Sequence, residues 1–432
     1  MKNFLLPIAA LCLSCGPVLA EGKPNIVVIL ADDLGAESLG CYGGVHYKGL
    51  GPAKTPNLDA MAKAGMRFTH CFATPVCSPA RAELLTGKYN FRTGFTDITG
   101  RNGATSSLDS QAHPTVAACL KEAGYVTAVA GKWHLGPPEN MGEIPKTPDA
   151  DTGYPHPREC GFDRQCILGG AHLRIYGDPK RGIYTPDIMQ KWVLNFLESR
   201  KGKEEPFFLY YPSPIPHDPF LPTPLNPDGS QQDKRGDNAN YPFLIEYLDA
   251  QVGEVLKKLA ELGLSDKTVV LFTADNGTNK KISTEMSDGR IIPGGKGSLL
   301  DTGSRVPLLA GWPGRIMPGS VNNNLVDFSD LLPTFLDLAG APLPDGLDGV
   351  SFASQLLGKP GKVRDWVHTL IVDKYFVRDS KWKLRENGVL YDVSNAPYAE
   401  TPIPPHEDSP ESKAARSRLQ GIVDKLHSKN PQ

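Results

Sequence analysis

The segment from Cys77 to Arg81 places a potential nucleophile and a cation close together in the chain. Ser78 and Pro79 suit the N-cap and the first position of a helix, because Ser can cap a free N–H group and Pro lacks one. The dipole and free N–H groups at a helix N-terminus attract anions, and Arg81, four residues on, would lie on the same side as Cys77. This spacing is typical of a site for a tetrahedral oxyanion. A buried inert cysteine, or a disulfide with Cys71, explains it equally well.

Polar residues also follow four of the strands that the sequence predicts. The four sets are Asp32-Asp33, Lys132-Trp133-His134, His217-Asp218 and Asp275-Asn276. Taken singly, each has an ordinary structural explanation, since an Asp pair can cap a turn and a single His is more often a structural residue than a ligand. In an open α/β sheet, however, ligands bind beyond the carboxyl ends of the strands. Because all four sets fall at that edge, we expect them to form one site.

Four of these side chains offer only oxygen as a ligand atom, namely Asp32, Asp33, Asp275 and Asn276. Three carboxylates at one sheet edge repel one another and need a cation. All-oxygen ligation favours Ca²⁺ or Mg²⁺ over zinc, which prefers His and Cys ligands. We therefore predict a divalent metal site, with calcium as the favoured ion. The alternative for Asn276 is an Asx turn ahead of Gly277.

Lys296 lies in the glycine-rich segment 293–298. This segment lacks the residues that follow the glycines of a phosphate-binding P-loop, which disfavours nucleotide binding. Lys296 is then either a charge clamp on a substrate or a solvated residue in a turn.

Apolar, β-branched runs alternate with capped helices along most of the chain. The run Asn25–Ala31 is typical of a strand buried on both faces. Further strands are predicted at 125–130, 206–211, 267–273 and 306–310, and helices at 56–64, 115–122, 185–200, 243–262 and 329–338. This order predicts an α/β fold in which helices sandwich a large mixed, mostly parallel sheet.

The pattern changes after about residue 365. Short strands at 369–372, 382–385 and 389–393, with a charged helix at 409–426, predict a small antiparallel subdomain. We expect three parts, namely a signal peptide at 1–20, the main α/β domain at 21–364, and a C-terminal antiparallel subdomain with its terminal helix at 365–432.

The first twenty residues have the pattern of a signal peptide. A positive start precedes an apolar run at 4–13, which is too short to span a bilayer, and Val18-Leu19-Ala20 is a small-residue cleavage site. We expect cleavage before Glu21 and export to the periplasm or the exterior. Lipidation at Cys15 is the weaker alternative, because Cys12 stands where an aliphatic residue is wanted. No later stretch reaches the ~18 apolar residues of a membrane helix, so we expect no stable membrane insertion.

The charge balance argues against a general nucleic-acid binder. Lys and Arg total 46 against 48 Asp and Glu, which gives a net charge of −2. No basic excess exists to neutralise phosphates, so any bound anion must be held by a local cluster.

Six of the eight cysteines lie beyond the predicted signal peptide. In an oxidising compartment these six could pair. Cys160 and Cys166 bracket a short loop and form the plausible disulfide, while the sequence leaves the other pairings open.

Together, these segments resemble the formylglycine-dependent sulfatases, of the arylsulfatase-like type within the alkaline phosphatase superfamily. The resemblance rests on Cys77-Ser78-Pro79-Ala80-Arg81 with Leu84-Leu85-Thr86-Gly87, Gly131-Lys132-Trp133-His134-Leu135-Gly136, His217-Asp218-Pro219-Phe220, Ala274-Asp275-Asn276-Gly277, and Gly295-Lys296-Gly297 through Arg305-Val306-Pro307. These segments stand in the family's order, and the resemblance spans about residues 25–392. One departure is Asp301-Thr302-Gly303, where relatives often carry Glu-Gly-Gly, and it could alter the pocket rim.

The resemblance implies that a separate, formylglycine-generating maturation enzyme oxidises Cys77 to formylglycine (3-oxoalanine). The hydrated aldehyde would attack the sulfur of a sulfate ester. His217, together with Lys296, would protonate the leaving alcohol. His134 would then take the proton from the second hydroxyl, so that the aldehyde reforms and sulfate leaves.

The resemblance also implies a calcium cofactor, with Mg²⁺ as the possible alternative. Its ligands would be Asp32, Asp33, Asp275, Asn276 and the modified Cys77. Arg81 and Lys132 would hold the formylglycine.

The resemblance leaves the substrate open, and we expect a sulfated carbohydrate because an exported enzyme meets extracellular polysaccharides. Candidate sugar contacts are Arg101, His172, Arg174 and Asp218.

Two other functions stay open. The first is a phosphodiesterase or phosphonate monoester hydrolase of the same superfamily, although Asn276 after Asp275 disfavours its two-zinc members, which have His near that position. The second is a non-catalytic, unmatured chain that only binds sulfated glycans and retains the thiol of Cys77.

Overall fold

The computed structural model describes residues 22–136, 147, 149–167, 184–226 and 237–428. The predicted signal peptide and two of the candidate sugar contacts, His172 and Arg174, lie outside these residues. Within them, no helix is both long enough and apolar enough to cross a membrane.

The described residues form seventeen strands and eleven α-helices. The strands are β1 Asn25–Ala31, β2 Gly44–Tyr47, β3 Gly51–Pro52, β4 Met66–Phe72, β5 Val126–Gly131, β6 Arg164–Ile167, β7 Phe207–Pro212, β8 Thr268–Ala274, β9 Ser283–Met286, β10 Ile291–Pro293, β11 Arg305–Gly311, β12 Ser320–Asp327, β13 Val367–Ile371, β14 Lys374–Arg378, β15 Trp382–Arg385, β16 Leu390–Asp392 and β17 Thr401–Ile403. The helices are α1 Pro56–Ala64, α2 Cys77–Thr86, α3 Asn90–Thr93, α4 Val116–Glu122, α5 His156–Glu159, α6 Thr185–Ser199, α7 Tyr241–Glu261, α8 Asp301–Ser304, α9 Leu331–Ala339, α10 Ala353–Leu356 and α11 Pro410–Ser428.

Eight strands form the main sheet, in the order β12-β4-β11-β8-β1-β7-β5-β6. β11 runs antiparallel to both of its neighbours, and the other neighbouring pairs are parallel. Helices flank this sheet, with α1 and α6 packed against α7, and α2 and α4 packed against α9. The predicted fold class, a large mixed and mostly parallel sheet between helices, is therefore confirmed.

The central strands follow from their composition. All residues of β1, β7 and β8 are buried, as expected for apolar runs in a parallel sheet covered on both faces. β1 has the predicted bounds, and β5, β7, β8 and β11 begin and end within one residue of theirs. The five predicted helices are present as α1, α4, α6, α7 and α9, with ends that shift by up to two residues.

Two smaller sheets complete the architecture. A four-stranded antiparallel sheet has the order β10-β9-β2-β3, and a five-stranded antiparallel sheet runs from β13 to β17 in chain order. α11 packs against β14 and β15 of the second sheet. The small antiparallel sheet expected near the C-terminus is therefore present, although β14 and β17 were not predicted.

The expected Cys160–Cys166 disulfide is wrong, because both residues are free thiols in the structure. Cys160 ends the turn after α5, where its Sγ lies 3.8 Å from Nδ1 of His156. Cys71 and Cys77 are also free, so the alternative pairing does not form either.

Asp301 joins the main sheet to the five-stranded sheet. Its buried carboxylate contacts Arg378, and its Oδ1 lies 2.7 Å from Nζ of Lys383. Glu400 completes the group, because it accepts hydrogen bonds from Asp301 N and from Lys383 Nζ, each at 2.7 Å. Asp301, the first residue of this departure from the family pattern, therefore lies at a buried junction, while Gly303 accepts a hydrogen bond from Gly277 N beside the site at 2.9 Å.

The same cations determine how Asp301 titrates. Burial alone would raise the pKa of its carboxyl, but the charges of Arg378 and Lys383 outweigh burial and hold the pKa well below its ordinary value. Ionised Asp301 therefore stabilises the fold above pH ~4, the ordinary value for an unfolded Asp. This contribution is lost as the pH falls further, through the lower pKa of the folded state.

Asp301→Asn should lower the free energy of unfolding by roughly 3 kcal/mol near neutral pH, because it leaves two buried cations short of a counter-charge. In denaturant titrations between about pH 3 and 7, the variant should lose less of its free energy of unfolding on acidification than the wild-type protein does. Asp337→Asn, at an exposed position on α9, is the control. Equal effects of the two substitutions would contradict the role assigned to Asp301.

Candidate active site

The predicted polar sets meet at one edge of the main sheet. β7 and β8 lie on either side of β1 and parallel to it, and β5 lies parallel to β7. The carboxyl ends of these four strands therefore point the same way, and the chain leaves each strand into the same region.

Cys77 is brought to this edge by α2. Its side chain is 1% exposed, and its Sγ lies 3.4 Å from Asp32 Oδ1 and 3.8 Å from Asp33 Oδ1. Cys77 is the first residue of the helix, and the N-cap is Val76, whose backbone is extended. The expectation that Ser78 caps the helix is therefore wrong.

The hydroxyl of Ser78 instead links two parts of the site. Ser78 Oγ lies 2.9 Å from Thr99 Oγ1 and accepts a hydrogen bond from Thr99 N at 3.2 Å. Thr99 Oγ1 then donates to the carbonyl oxygen of His134 at 2.8 Å. Thr99 thus ties the start of α2 to the segment after β5. Sequence reasoning missed Thr99, because nothing in the chain relates it to a residue 21 positions away.

Each carboxylate of the cluster has its own cation. Lys132 Nζ lies 2.6 Å from Asp32 Oδ2, and Lys296 Nζ lies 2.7 Å from Asp33 Oδ2. Arg81 Nη2 lies 2.6 Å from Asp275 Oδ2. The pairs also connect the strand ends. Arg81 Nη1 donates to the carbonyl oxygen of Lys132 at 2.7 Å, and Asp33 N donates to Asp275 Oδ1 at 3.1 Å.

Burial and these charges set the ionisation of the cluster. Burial alone would raise the pKa of Asp32, but Lys132 and the other nearby cations outweigh it and hold the pKa well below its ordinary value. Burial and the charge of Asp32 raise the pKa of Asp275 to about 7, despite Arg81. The pocket therefore holds its negative charge unevenly, because Asp275 resists ionisation more than Asp32 does.

Cys77 is a poor nucleophile as a thiol in this setting. Burial and the charge of Asp275 raise its pKa well above the ordinary value, despite the nearby Lys132. A reactive cysteine needs the thiolate, which electropositive surroundings favour and a buried acidic cluster opposes. The site thus disfavours chemistry through an unmodified thiolate at residue 77.

His217 and Lys296 lie where the site opens to solvent. Their side chains are 20% and 17% exposed, whereas Asp33 beside them is fully buried. Lys296 Nζ lies 3.1 Å from His217 Nε2, and His217 Nδ1 contacts the carbonyl oxygen of Asp218. Burial lowers the pKa of His217, with partial opposition from the charge of Asp33.

His134 lies deeper. Its side chain is buried, and among the described residues neither ring nitrogen has a hydrogen-bond partner. Burial and the charge of Lys132 lower its pKa well below the ordinary value, so the imidazole is neutral. A neutral imidazole with an unused acceptor nitrogen can take a proton.

Two residues of the site have strained backbones. Asp33 and His134 adopt positive φ angles of 69° and 61°, in the left-handed region that costs a non-glycine residue roughly 1 kcal/mol or more. The hydrogen bonds of the cluster hold Asp33 in place, and the Thr99 contact holds the backbone of His134. Such strain tends to gather where side-chain direction matters for function.

The donor atoms present fit a divalent cation. Side-chain ligand atoms of Asp32, Asp33, Cys77 and His217 all lie within 4.8 Å of one another. Asn276 Nδ2 donates to Asp33 Oδ1 at 2.8 Å, and its Oδ1 is buried with no hydrogen-bond partner in the part of the chain that the structure describes. A buried amide oxygen without a partner is costly unless something binds it. Calcium takes carboxylate and amide oxygens of this kind.

Two candidate sugar contacts can be placed. Asp218, which follows His217 in the chain, is paired with Lys281, whose Nζ lies 2.7 Å from Asp218 Oδ1. Both side chains are partly exposed. Arg101 is 65% exposed, two residues after Thr99, and its Nε lies 3.8 Å from Asp97 Oδ2. Both residues therefore lie next to segments that build the site.

Comparison with known proteins agrees with this geometry. The sulfatase family model matches residues 24–341, and the model of the C-terminal part of N-sulphoglucosamine sulphohydrolase matches residues 295–392. Human (Homo sapiens) arylsulfatase A is 36% identical over 378 residues, which is 81% of this chain and 70% of that protein. N-acetylgalactosamine-6-sulfatase from Canis lupus familiaris is 33% identical over 366 residues, which is 78% of this chain and 67% of that protein.

Among solved structures, the crystal structure of Ps i-CgsB in complex with k-i-k-neocarrahexaose superposes with a TM-score of 0.74 at 26% identity. The match covers 95% of this chain and 94% of the other. The family model spans most of the chain, and both relatives match more than two thirds of it. The protein therefore belongs to the sulfatase family, within the alkaline phosphatase superfamily, and is a sulfuric ester hydrolase.

Proposed function

We propose that the protein releases inorganic sulfate from a sulfated carbohydrate, using a formylglycine formed from Cys77 and a bound calcium ion. The observation that carries the proposal is the approach of Cys77 Sγ to Asp32 and Asp33, at 3.4 and 3.8 Å, in a buried pocket. A nucleophile at residue 77 and a cation held by these carboxylates would act on the same sulfate group.

Conversion of Cys77 to formylglycine replaces the buried thiol, whose raised pKa disfavours the nucleophilic thiolate. Formylglycine hydrates to a gem-diol, whose hydroxyl oxygens are nucleophiles that need no thiolate. One hydroxyl attacks sulfur, and the bond from sulfur to the alcohol oxygen breaks. The enzyme then carries a sulfate ester. Loss of the second hydroxyl proton restores the aldehyde, expels sulfate, and leaves the carbonyl to be hydrated again by water.

His134 is the proposed base for that second proton. Its imidazole is neutral, buried and without hydrogen-bond partners at either ring nitrogen among the described residues. A neutral ring with an unused acceptor nitrogen suits a group that accepts a proton late in the cycle. The tie from Thr99 to its backbone carbonyl would keep the ring in place.

His217 and Lys296 are the proposed acid for the leaving alcohol. The two nitrogens lie 3.1 Å apart at the mouth of the site, so they can share a proton that moves to the departing oxygen. Lys296 would also neutralise a sulfate oxygen, since its ammonium lies beside Asp33.

Arg81 and Lys132 would position the formylglycine through the carboxylates. Arg81 Nη2 lies 3.6 Å from Asp32 Oδ1, the oxygen that Cys77 Sγ approaches, and Lys132 Nζ holds the other oxygen of Asp32. Their charges fix Asp32 in one orientation, and Asp32 in turn fixes residue 77.

The calcium ion would be held by oxygens at the sheet edge. The proposed ligands are Asp32, Asp33, Asp275, Asn276 and the converted residue 77. Bound there, the cation would neutralise negative charge on the sulfate oxygens. The buried Oδ1 of Asn276, which has no hydrogen-bond partner within the described ranges, supports this assignment.

The names of the relatives favour a sugar sulfate, since one is an N-acetylgalactosamine-6-sulfatase and another an ulvan-active sulfatase. The partly exposed Arg101 and Asp218 are the proposed sugar contacts within the described residues. We also propose that residues 1–20 direct export to the periplasm or exterior, that residues 365–432 form the C-terminal subdomain, and that a separate formylglycine-generating enzyme converts Cys77.

Cys77→Ala should lower kcat/KM for an aryl sulfate by roughly 10³-fold or more, because it removes the covalent nucleophile. Mass spectrometry of the peptide that contains residue 77 should show formylglycine in protein produced with a formylglycine-generating enzyme. Cys71→Ala, which changes an equally buried cysteine on β4, should retain activity. A retained thiol in fully active protein, or full activity of Cys77→Ala, would contradict the nucleophile assignment.

His217→Gln should slow esters of poor leaving groups more than esters of good ones, because an acid matters most when the departing alcohol is basic. We expect a loss of roughly 10²–10⁴-fold in kcat/KM with a sugar sulfate, and a far smaller loss with a nitrophenyl sulfate. The measurement is kcat/KM against the pKa of the leaving group. Equal losses for both esters would exclude His217 as the acid.

The converted wild-type enzyme should release inorganic sulfate from at least one member of a panel of sulfated mono- and oligosaccharides. It should hydrolyse an aryl sulfate faster than the matching aryl phosphate diester or phosphonate monoester. Faster turnover of the phosphorus esters would favour the phosphodiesterase or phosphonate hydrolase alternative. Binding of the sugars without sulfate release would favour a non-catalytic glycan-binding protein.

A further inference from the structure

Thr278 lies behind the acidic cluster, two residues after Asn276, and its side chain bridges two loops of the site. The residue is 1% exposed. Its Oγ1 accepts a hydrogen bond from Gly35 N at 2.9 Å and donates one to Glu37 Oε1 at 2.7 Å. Gly35 follows Asp33 by two positions. One hydroxyl group therefore joins the segment after Asp33 to the segment after Asn276.

The backbone of Thr278 holds a third segment. Its carbonyl oxygen accepts a hydrogen bond from Lys296 N at 3.0 Å. A Cβ atom on Gly294 would lie 2.7 Å from that same oxygen, so the two segments pack in direct contact. Thr278 thus contacts the loop of Asp33, lies in the loop of Asn276 and holds the backbone of Lys296.

Glu37 is the partner that orients this hydroxyl. Its side chain is 5% exposed and folds back over its own loop, where a Cβ on Gly35 would lie 2.3 Å from Oε1. Ser38 adds a neighbouring contact, because its Oγ lies 3.0 Å from Thr278 Oγ1 and 3.4 Å from Tyr241 OH. Within the described residues, the side chain of Glu37 has no hydrogen bond to a group proposed to meet the substrate, and Thr278 Oγ1 is its hydrogen-bond donor.

We propose that the Glu37–Thr278 pair is a positioning device that fixes the spacing of the Asp33, Asn276 and Lys296 segments and thereby sets the calcium affinity of the site. The inference rests on the calcium ion of the proposed function. Partners that orient metal ligands commonly change metal affinity by about 10–100-fold when they are removed.

The direct test is calcium binding by isothermal titration calorimetry to full-length protein stripped with a chelator. Thr278→Val keeps the shape of the side chain but removes its donor and acceptor, and should raise the calcium dissociation constant about tenfold or more. Thr278→Ser keeps the hydroxyl and should stay within about twofold of the wild-type value. Glu37→Ala removes only the acceptor and should raise the constant by a smaller factor than Thr278→Val.

Thr334→Val is the matched control. Thr334 is also buried, and its Oγ1 donates to the Asp330 carbonyl oxygen at 2.6 Å and accepts from Phe352 N at 3.0 Å. Neither partner is a proposed site residue. This variant should lose stability as Thr278→Val does, yet bind calcium like the wild-type protein. An equal loss of affinity in Thr334→Val would attribute the effect to general destabilisation and overturn the proposal.

The wild-type titration separates this proposal from the one it rests on. If the wild-type protein binds calcium and both Thr278→Val and Glu37→Ala bind it equally well, the positioning role is overturned while the metal site stands. A wild-type protein that binds no calcium would overturn the metal assignment and this inference together. If Thr278→Val fails to fold, the affinities of Glu37→Ala and Thr278→Ser decide the matter.

Discussion

Charge balance among buried carboxylates is the constraint on which the rest of the site depends. Asp32, Asp33 and Asp275 are fully buried, and each is paired with a cation from a different segment of the chain. Removing one member of such a pair leaves an uncompensated buried charge, at a cost of about 3–5 kcal/mol. The strand ends must therefore assemble as a set. A divalent cation and an anionic sulfate ester add opposite charges to this balanced pocket, so each should favour the binding of the other.

Exposure within the site changes with depth, and the proposed chemistry follows that change. The nucleophile position and the proposed base, Cys77 and His134, are 1% and 6% exposed, whereas the proposed acid pair is partly open. A sulfate group must reach the interior, while the alcohol that carries it can stay near the surface. This arrangement fits a hydrolase whose leaving group is larger than the group it transfers.

The sequence carried enough information to predict five strands of the main sheet and the edge where the site forms, whereas β4, β6 and β12 were not predicted. β1 and β8 are continuous apolar runs that stop at Asp32 and Asp275, so the end of each strand also marks a candidate metal ligand. β12 was missed because it contains three Asn residues, which are rare in strands and are tolerated here at the sheet edge. The contact of Ser78 with Thr99 could not be predicted from the sequence either, because it depends on how a loop folds back over α2.

The junction at Asp301 has a consequence for the order in which the molecule assembles. The segment that carries Lys296 leads into Asp301, whose counter-charges Arg378 and Lys383 come later in the chain. Until those strands emerge from the ribosome and pair, the carboxylate lacks both counter-charges, although Lys296 N can already donate to the carbonyl oxygen of Thr278. A nascent chain can therefore contain every proposed catalytic residue before the Asp301 junction is complete.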